Sequence, residues 1–135
     1  VVAGLDEAPV ALGANCGVGA SDTLVSVLAM VPSGCTVISK ANCGVPQFVG
    51  AEVVYSGTPD LMGDYARLAI DAGVRIIGGC CGTTPDHVAA MRRAIDEHAR
   101  GPLPDLGTIV GRIGPLTNAA PSDQLSERRS RRSRA

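Results

Sequence analysis

At 135 residues, 45% hydrophobic and 19% charged, the chain can bury one ordinary core, which a single Phe, two Tyr and no Trp make aliphatic. That aromatic poverty counts against readers of single-stranded nucleic acid, which stack bases on rings. The net charge of −1 is uneven, because positions 122–135 carry five Arg against Asp123 and Glu127 and leave −4 on the other 121 residues, a poor match to a polyanion.

From Pro9 to Gly17 the sequence reads as a short buried strand running into a Gly-rich turn. Ser21 and Asp22 are capping candidates for a helix reaching about Val31, with Leu24, Val25, Leu28 and Ala29 facing inward and Pro32-Ser33-Gly34 stopping it. Thr36 to Ala41 is a second, β-branched strand ending in Asn42-Cys43-Gly44-Val45-Pro46. Between Gln47 and Ser56, Gly50-Ala51 turns a small hairpin. Thr58-Pro59-Asp60 opens a helix with Leu61, Tyr65, Leu68, Ala69 and Ala72 on its apolar face, closed by Gly73.

Val74, Ile76 and Ile77 form an apolar run expected of a strand covered on both faces, and it delivers Cys80 and Cys81 to a strand-to-helix turn. Thr84 caps the next helix, with Pro85 at its first position and Asp86 in its first turn; Val88, Met91 and Ile95 face inward, and Gly101-Pro102 ends it. Beyond, the Pro and Gly punctuation predicts a loosely packed extension, and Asn118 to Ala135 a disordered tail. The alternation of strands and helices predicts right-handed βαβ crossovers and a parallel sheet. Parallel strands share their carboxyl ends, so Cys16, Cys80 and Cys81 are expected to converge although 64 residues separate the first two.

Five cysteines, an odd number in a chain without a signal peptide, point to a reducing, cytoplasmic setting and to thiols used for metal or catalysis. No apolar run approaches the roughly 18 residues of a membrane span, so no membrane is expected as a partner. Three thiolates suit a soft or borderline cation, Zn²⁺ first. Three ligands leave a fourth position open, the mark of a catalytic zinc, and a thiol held there would be deprotonated at neutral pH.

Gly13-Ala14-Asn15-Cys16-Gly17 together with Gly78-Gly79-Cys80-Cys81-Gly82-Thr83-Thr84-Pro85-Asp86-His87 closely resembles the homocysteine S-methyltransferase family, which includes betaine-homocysteine methyltransferases and the homocysteine-binding module of methionine synthases. Ala41 to Pro46 also resembles the family's turn after the preceding strand. The resemblance implies zinc-dependent methyl transfer to the thiol of homocysteine, giving methionine. It implies a (β/α)8 TIM barrel, of which these α/β units correspond to the last three, an incomplete barrel. On that reading residues 1–101 are the C-terminal part of the barrel domain and 102–135 the extension and tail, and the metal ligands are Cys16, Cys80 and Cys81. The partners implied are homocysteine and a methyl donor: betaine, S-methylmethionine or a methylated folate or cobalamin. Val1 is no initiator Met, and the sequence is expected to begin within a longer protein whose absent units hold the amino acid part of homocysteine. The isolated chain is then expected to be inactive and to associate through its exposed barrel edge.

Each feature has a plainer reading. Cys80 and Cys81 can be small buried hydrophobes or a vicinal disulfide, but the flanking glycines favour ligation, as Cys16's place at a strand end does for it. A thiol-rich metal-binding or redox module without methyl transfer is the alternative function. Cys43 can add a fourth sulfur, though a neutral filler fits better, and Cys35 lies at the opposite end of the sheet. Asn15 can bind substrate or cap its turn, whereas Asn42 reads as a turn residue. Capping accounts for Thr83 and Thr84; His87 reads as surface, His98 as a helix-end residue, and the Arg-rich run as solvated.

Overall fold

A computed structural model describes residues 4–117, so the Arg-rich run and the tail expected from Asn118 lie outside the described residues. The elements are β1 (Ala11–Cys16), α1 (Ala20–Leu28), a 3-10 turn (Val31–Ser33), β2 (Thr36–Ala41), β3 (Pro46–Val49), β4 (Glu52–Tyr55), α2 (Pro59–Ala72), β5 (Ile76–Gly79), α3 (Pro85–Glu97) and α4 (Leu106–Ile113). Strands β1, β2 and β5 form a parallel sheet in that order, and β3 and β4 an antiparallel hairpin turned at Gly50. The fold of the described residues is mixed α/β, with a parallel three-stranded sheet and four α-helices among them.

Because the strands succeed one another in one direction, crossovers of one hand lay their helices on one side of the sheet. In β2, Val37, Ser39 and Ala41 are buried while Lys40 between them is exposed, so one face is covered and the other open. The core between sheet and helices holds Leu24, Val27, Val37, Met62, Leu68, Met91 and Ile109. Tyr65 is fully buried within it, its hydroxyl 2.5 Å from Ser39 Oγ. Burial pushes the Tyr65 phenol up to about 12, against hydrogen bonds from Ser39 and with Ala41 that favour the charged form.

The hairpin forms as predicted, and α2 begins and ends as its sequence dictates. Thr58 Oγ1 accepts from the Leu61 amide at 3.2 Å, and Gly73 caps the far end at φ 93°. Elsewhere the packing corrects the pattern. The N-cap of α1 is Gly19, not Ser21 or Asp22. Ser21 Oγ instead donates to the Gly114 carbonyl at 2.6 Å, and the Asp22 carboxylate accepts from the Thr117 amide. That helix buries Leu24 and Val27, with Val25 and Leu28 only partly covered and Ala29 exposed.

The strand expected to be covered on both faces is half open, with Ile76 49% exposed, and β1 alternates between exposed and half-buried residues. Both are edge strands, and each turns residues to the uncovered face. In α3, Val88 points outward and Ala90, Met91 and Ala94 inward. The stretch expected to be a loose extension carries α4, which buries Ile109 and Ile113 against α1 and α2. Asp105 caps it by accepting from the Thr108 amide at 2.7 Å, a bond that holds its carboxyl below the usual range.

Candidate metal centre

Each strand of the sheet ends in a turn at the same rim. Cys16 closes β1 at φ 63°, followed by Gly17 at φ 73°, a pair of left-handed residues that turns the chain sharply and leaves the sulfur at the sheet end. Cys80 follows β5 directly, its amide donating to the Ala41 carbonyl at 2.8 Å, so the ladder between β2 and β5 carries one step past the last paired residues.

The three sulfurs lie within 4.8 Å of one another, with Cys16 Sγ 3.8 Å from Cys81 Sγ and Cys80 Sγ 3.9 Å from it. A tetrahedral zinc with Zn–S bonds of about 2.3 Å spaces its sulfurs about 3.8 Å apart, close to the two separations from Cys81. All five cysteines are free.

The electrostatics of the cluster favour a cation. Desolvation, the largest single influence on Cys80, pushes its thiol up. Contacts from Cys16, from the Cys81 amide and sulfur, and from the Asn15 side chain together outweigh it and hold the thiol below its ordinary value. Cys16 moves the other way, raised first by its contact with Cys81 and then by Cys80, because a second thiolate must form beside the first. A metal ion bound here would replace the protons of the thiols it holds.

Asn42 ties the turns together. It is buried, its Nδ2 donates to the Gly17 carbonyl at 3.0 Å, and its Oδ1 accepts from the Cys81 amide at 3.1 Å. One side chain thus fixes the Cys16 turn against the Cys80-Cys81 turn, a larger part than the local turn role its sequence suggested. The Cys43 amide donates to the Cys81 carbonyl at 2.9 Å. Cys43 is itself no member of the cluster: fully buried, it turns its sulfur to the Gly57 carbonyl at 3.1 Å, and burial pushes its thiol up.

Two further residues belong to this rim that the sequence did not single out for it. Tyr55, at the end of β4, lays its ring against Gly82, where a Cβ would lie 2.3 Å from Tyr55 Cγ. Its phenol is raised by desolvation first and then by the neighbouring thiols. His87, expected at the surface, is buried: Nδ1 accepts from the Thr84 amide at 3.1 Å, and Nε2 donates to the Gly57 carbonyl at 3.1 Å. It therefore completes the cap of α3 and pins the chain leaving the hairpin, and the Thr84-to-His87 spacing was the signal for it.

Cys35 precedes β2 at the opposite end of the sheet, half-buried in an open depression with Arg75 and Arg100. His98 Nε2 pairs with Asp71 Oδ1 at 2.8 Å, and the same oxygen accepts from the Gly101 amide at 2.6 Å, fastening the end of α3 to α2. No described helix is long and apolar enough to cross a membrane.

Fold and cluster together define an α/β domain with a three-thiol metal-binding geometry at the carboxyl end of a parallel sheet. A sequence model of the homocysteine S-methyltransferase family matches residues 1–95, and the chain belongs to that family.

Proposed function

We propose that the chain carries the zinc site of a homocysteine S-methyltransferase, with Cys16, Cys80 and Cys81 as the ligands, and that residues 1–101 are the last three units of a (β/α)8 barrel domain. Two observations support the barrel: the described helices lie on one side of the sheet, and among the described residues β1 and β5 each have one ladder without a partner strand. In such barrels active sites form at the carboxyl ends of the strands, where these sulfurs lie. The single observation that carries the metal reading is the sulfur spacing of 3.8 and 3.9 Å.

Zinc bound there would act as a Lewis acid that favours the thiolate form of a substrate thiol at neutral pH. The chain's own residues arrange the rest. Asn42 locks the turns in register, Asn15 helps hold the Cys80 thiol below its ordinary value, and Tyr55 covers Gly82 and closes one side of the rim. In the reaction homocysteine loses its S–H proton, a sulfur–carbon bond forms, and the bond from methyl to donor breaks with its electron pair leaving on the donor. The donor is of the betaine, S-methylmethionine or methylated folate or cobalamin class, and the setting is the reducing cytoplasm.

Metal analysis with thiol titration tests this. The expected result is one zinc per chain, three of the five thiols protected, and loss of both in Cys80→Ser. No zinc, with a disulfide between Cys80 and Cys81, would instead support a redox module without methyl transfer.

A further inference from the structure

Both ring nitrogens of the buried His87 are engaged, and only one of them serves the helix it caps. Because Nδ1 accepts from the Thr84 amide at 3.1 Å, the ring proton stands on Nε2, which donates to the Gly57 carbonyl 3.1 Å away. Gly57 is in turn bound to Cys43 twice: its amide donates to the Cys43 carbonyl at 3.1 Å, and its carbonyl accepts from the Cys43 thiol at 3.1 Å. The two backbones touch so closely that a Cβ on Gly57 would lie 2.6 Å from the Cys43 carbonyl carbon, and neither can shift alone. The Cys43 amide then donates to the Cys81 carbonyl at 2.9 Å.

These bonds close a ring. The chain runs from Cys81 through Gly82, Thr83 and Thr84 to His87, and the hydrogen bonds return from His87 through Gly57 and Cys43 to Cys81. Within it the Thr83 amide donates to the Cys80 carbonyl at 3.3 Å, with Gly82 at φ 76° making the turn. A capping side chain at this position needs only an acceptor for the Thr84 amide. The second nitrogen ties that cap to the base of the hairpin and, through Cys43, to a member of the sulfur cluster. We infer that His87 is a positioning residue for the cluster, an assignment that rests on the proposed metal site: its bond to Gly57 fixes the Cys81 backbone, and with it the sulfur, before the metal arrives. His87 is itself no member of the cluster. Its effect is to remove freedom that the turn would otherwise lose on binding.

Two substitutions separate the nitrogens, since Asn places its amide oxygen near the Nδ1 position and Gln its amide nitrogen near the Nε2 position. His87→Asn keeps an acceptor for Thr84 and loses the bond to Gly57, and His87→Gln does the reverse. The full chain is loaded with Co²⁺, and its affinity is read from the sulfur-to-metal charge-transfer band in competition with a chelator. His87→Asn is expected to weaken binding about tenfold and His87→Gln to keep it. Native affinity in His87→Asn, or equal losses in the two variants, overturns the inference while leaving the metal site standing. The native chain supplies a second measurement: if closing the ring improves affinity about tenfold, zinc must slow hydrogen exchange at the Cys43 and Gly57 amides by about the same factor. Unchanged exchange there overturns the inference as well. A native chain that gives no charge-transfer band contradicts the metal reading, and this inference with it.

Discussion

Cys16 and Cys35 flank strands of one sheet at opposite ends, and their surroundings differ in kind. At the carboxyl rim, turns after β1, β2 and β5 are cross-tied: Asn42, on the turn after β2, bonds both of the others, Cys43 on the same turn adds a bond to Cys81, and sulfurs face one another at 3.8 and 3.9 Å. At the amino rim, the Cys35 amide bonds only the Ser33 hydroxyl two residues back, and the thiol lies in an open depression. A cysteine becomes a ligand through the company the backbone imposes on it, and parallel strands impose it at the end where several turns meet.

The sharpest way to break that contrast is to remove one sulfur from each rim. Cys80→Ser is expected to weaken zinc retention by about 100-fold or more, while Cys35→Ser leaves it unchanged, as read by competition with a chromophoric chelator. Between the rims lies Tyr65, whose neutral phenol is favoured by folding. Its contribution is complete below pH 10 and lost as pH rises through about 12, a loss of roughly 3 kcal/mol. Urea denaturation at pH 9 and pH 12 should show that step in the native chain and not in Tyr65→Phe.

Asn42→Ala leaves the Gly17 carbonyl and the Cys81 amide without their partner. The expected cost is about 1–3 kcal/mol of stability, together with a roughly tenfold loss of metal affinity. Thr58→Ala removes only the cap of α2, and about 1 kcal/mol should go with no change in metal affinity. If Thr58→Ala weakened the metal as much as Asn42→Ala, the cross-tied turns would not be what holds the cluster.

Much of this was legible in local chemistry. The Thr58-Pro59 start and Gly73 stop needed no tertiary information, and neither did the hairpin. The Asn-Cys-Gly and Cys-Cys-Gly turns, once placed after parallel strands, told which sulfurs would meet. What stayed hidden depended on partners distant in sequence. The two bonds of Asn42 join residues 25 and 39 positions away, which no local pattern reveals. The helix α4 escaped because Gly107 and Gly111 lower helix propensity, and the burial of Ile109 and Ile113 overrides it. Ile76 was expected to be buried because β-branched residues fit parallel strands, but its exposure is decided by what lies opposite the open face.

The most direct test of the central claim is X-ray absorption at the zinc edge of the metal-loaded chain, before and after homocysteine is added. Three sulfurs at about 2.3 Å, rising to four with homocysteine and falling to two in Cys80→Ser, are the expected result. Zinc held by nitrogen and oxygen alone, or a sulfur count that ignores both homocysteine and Cys80→Ser, would contradict it.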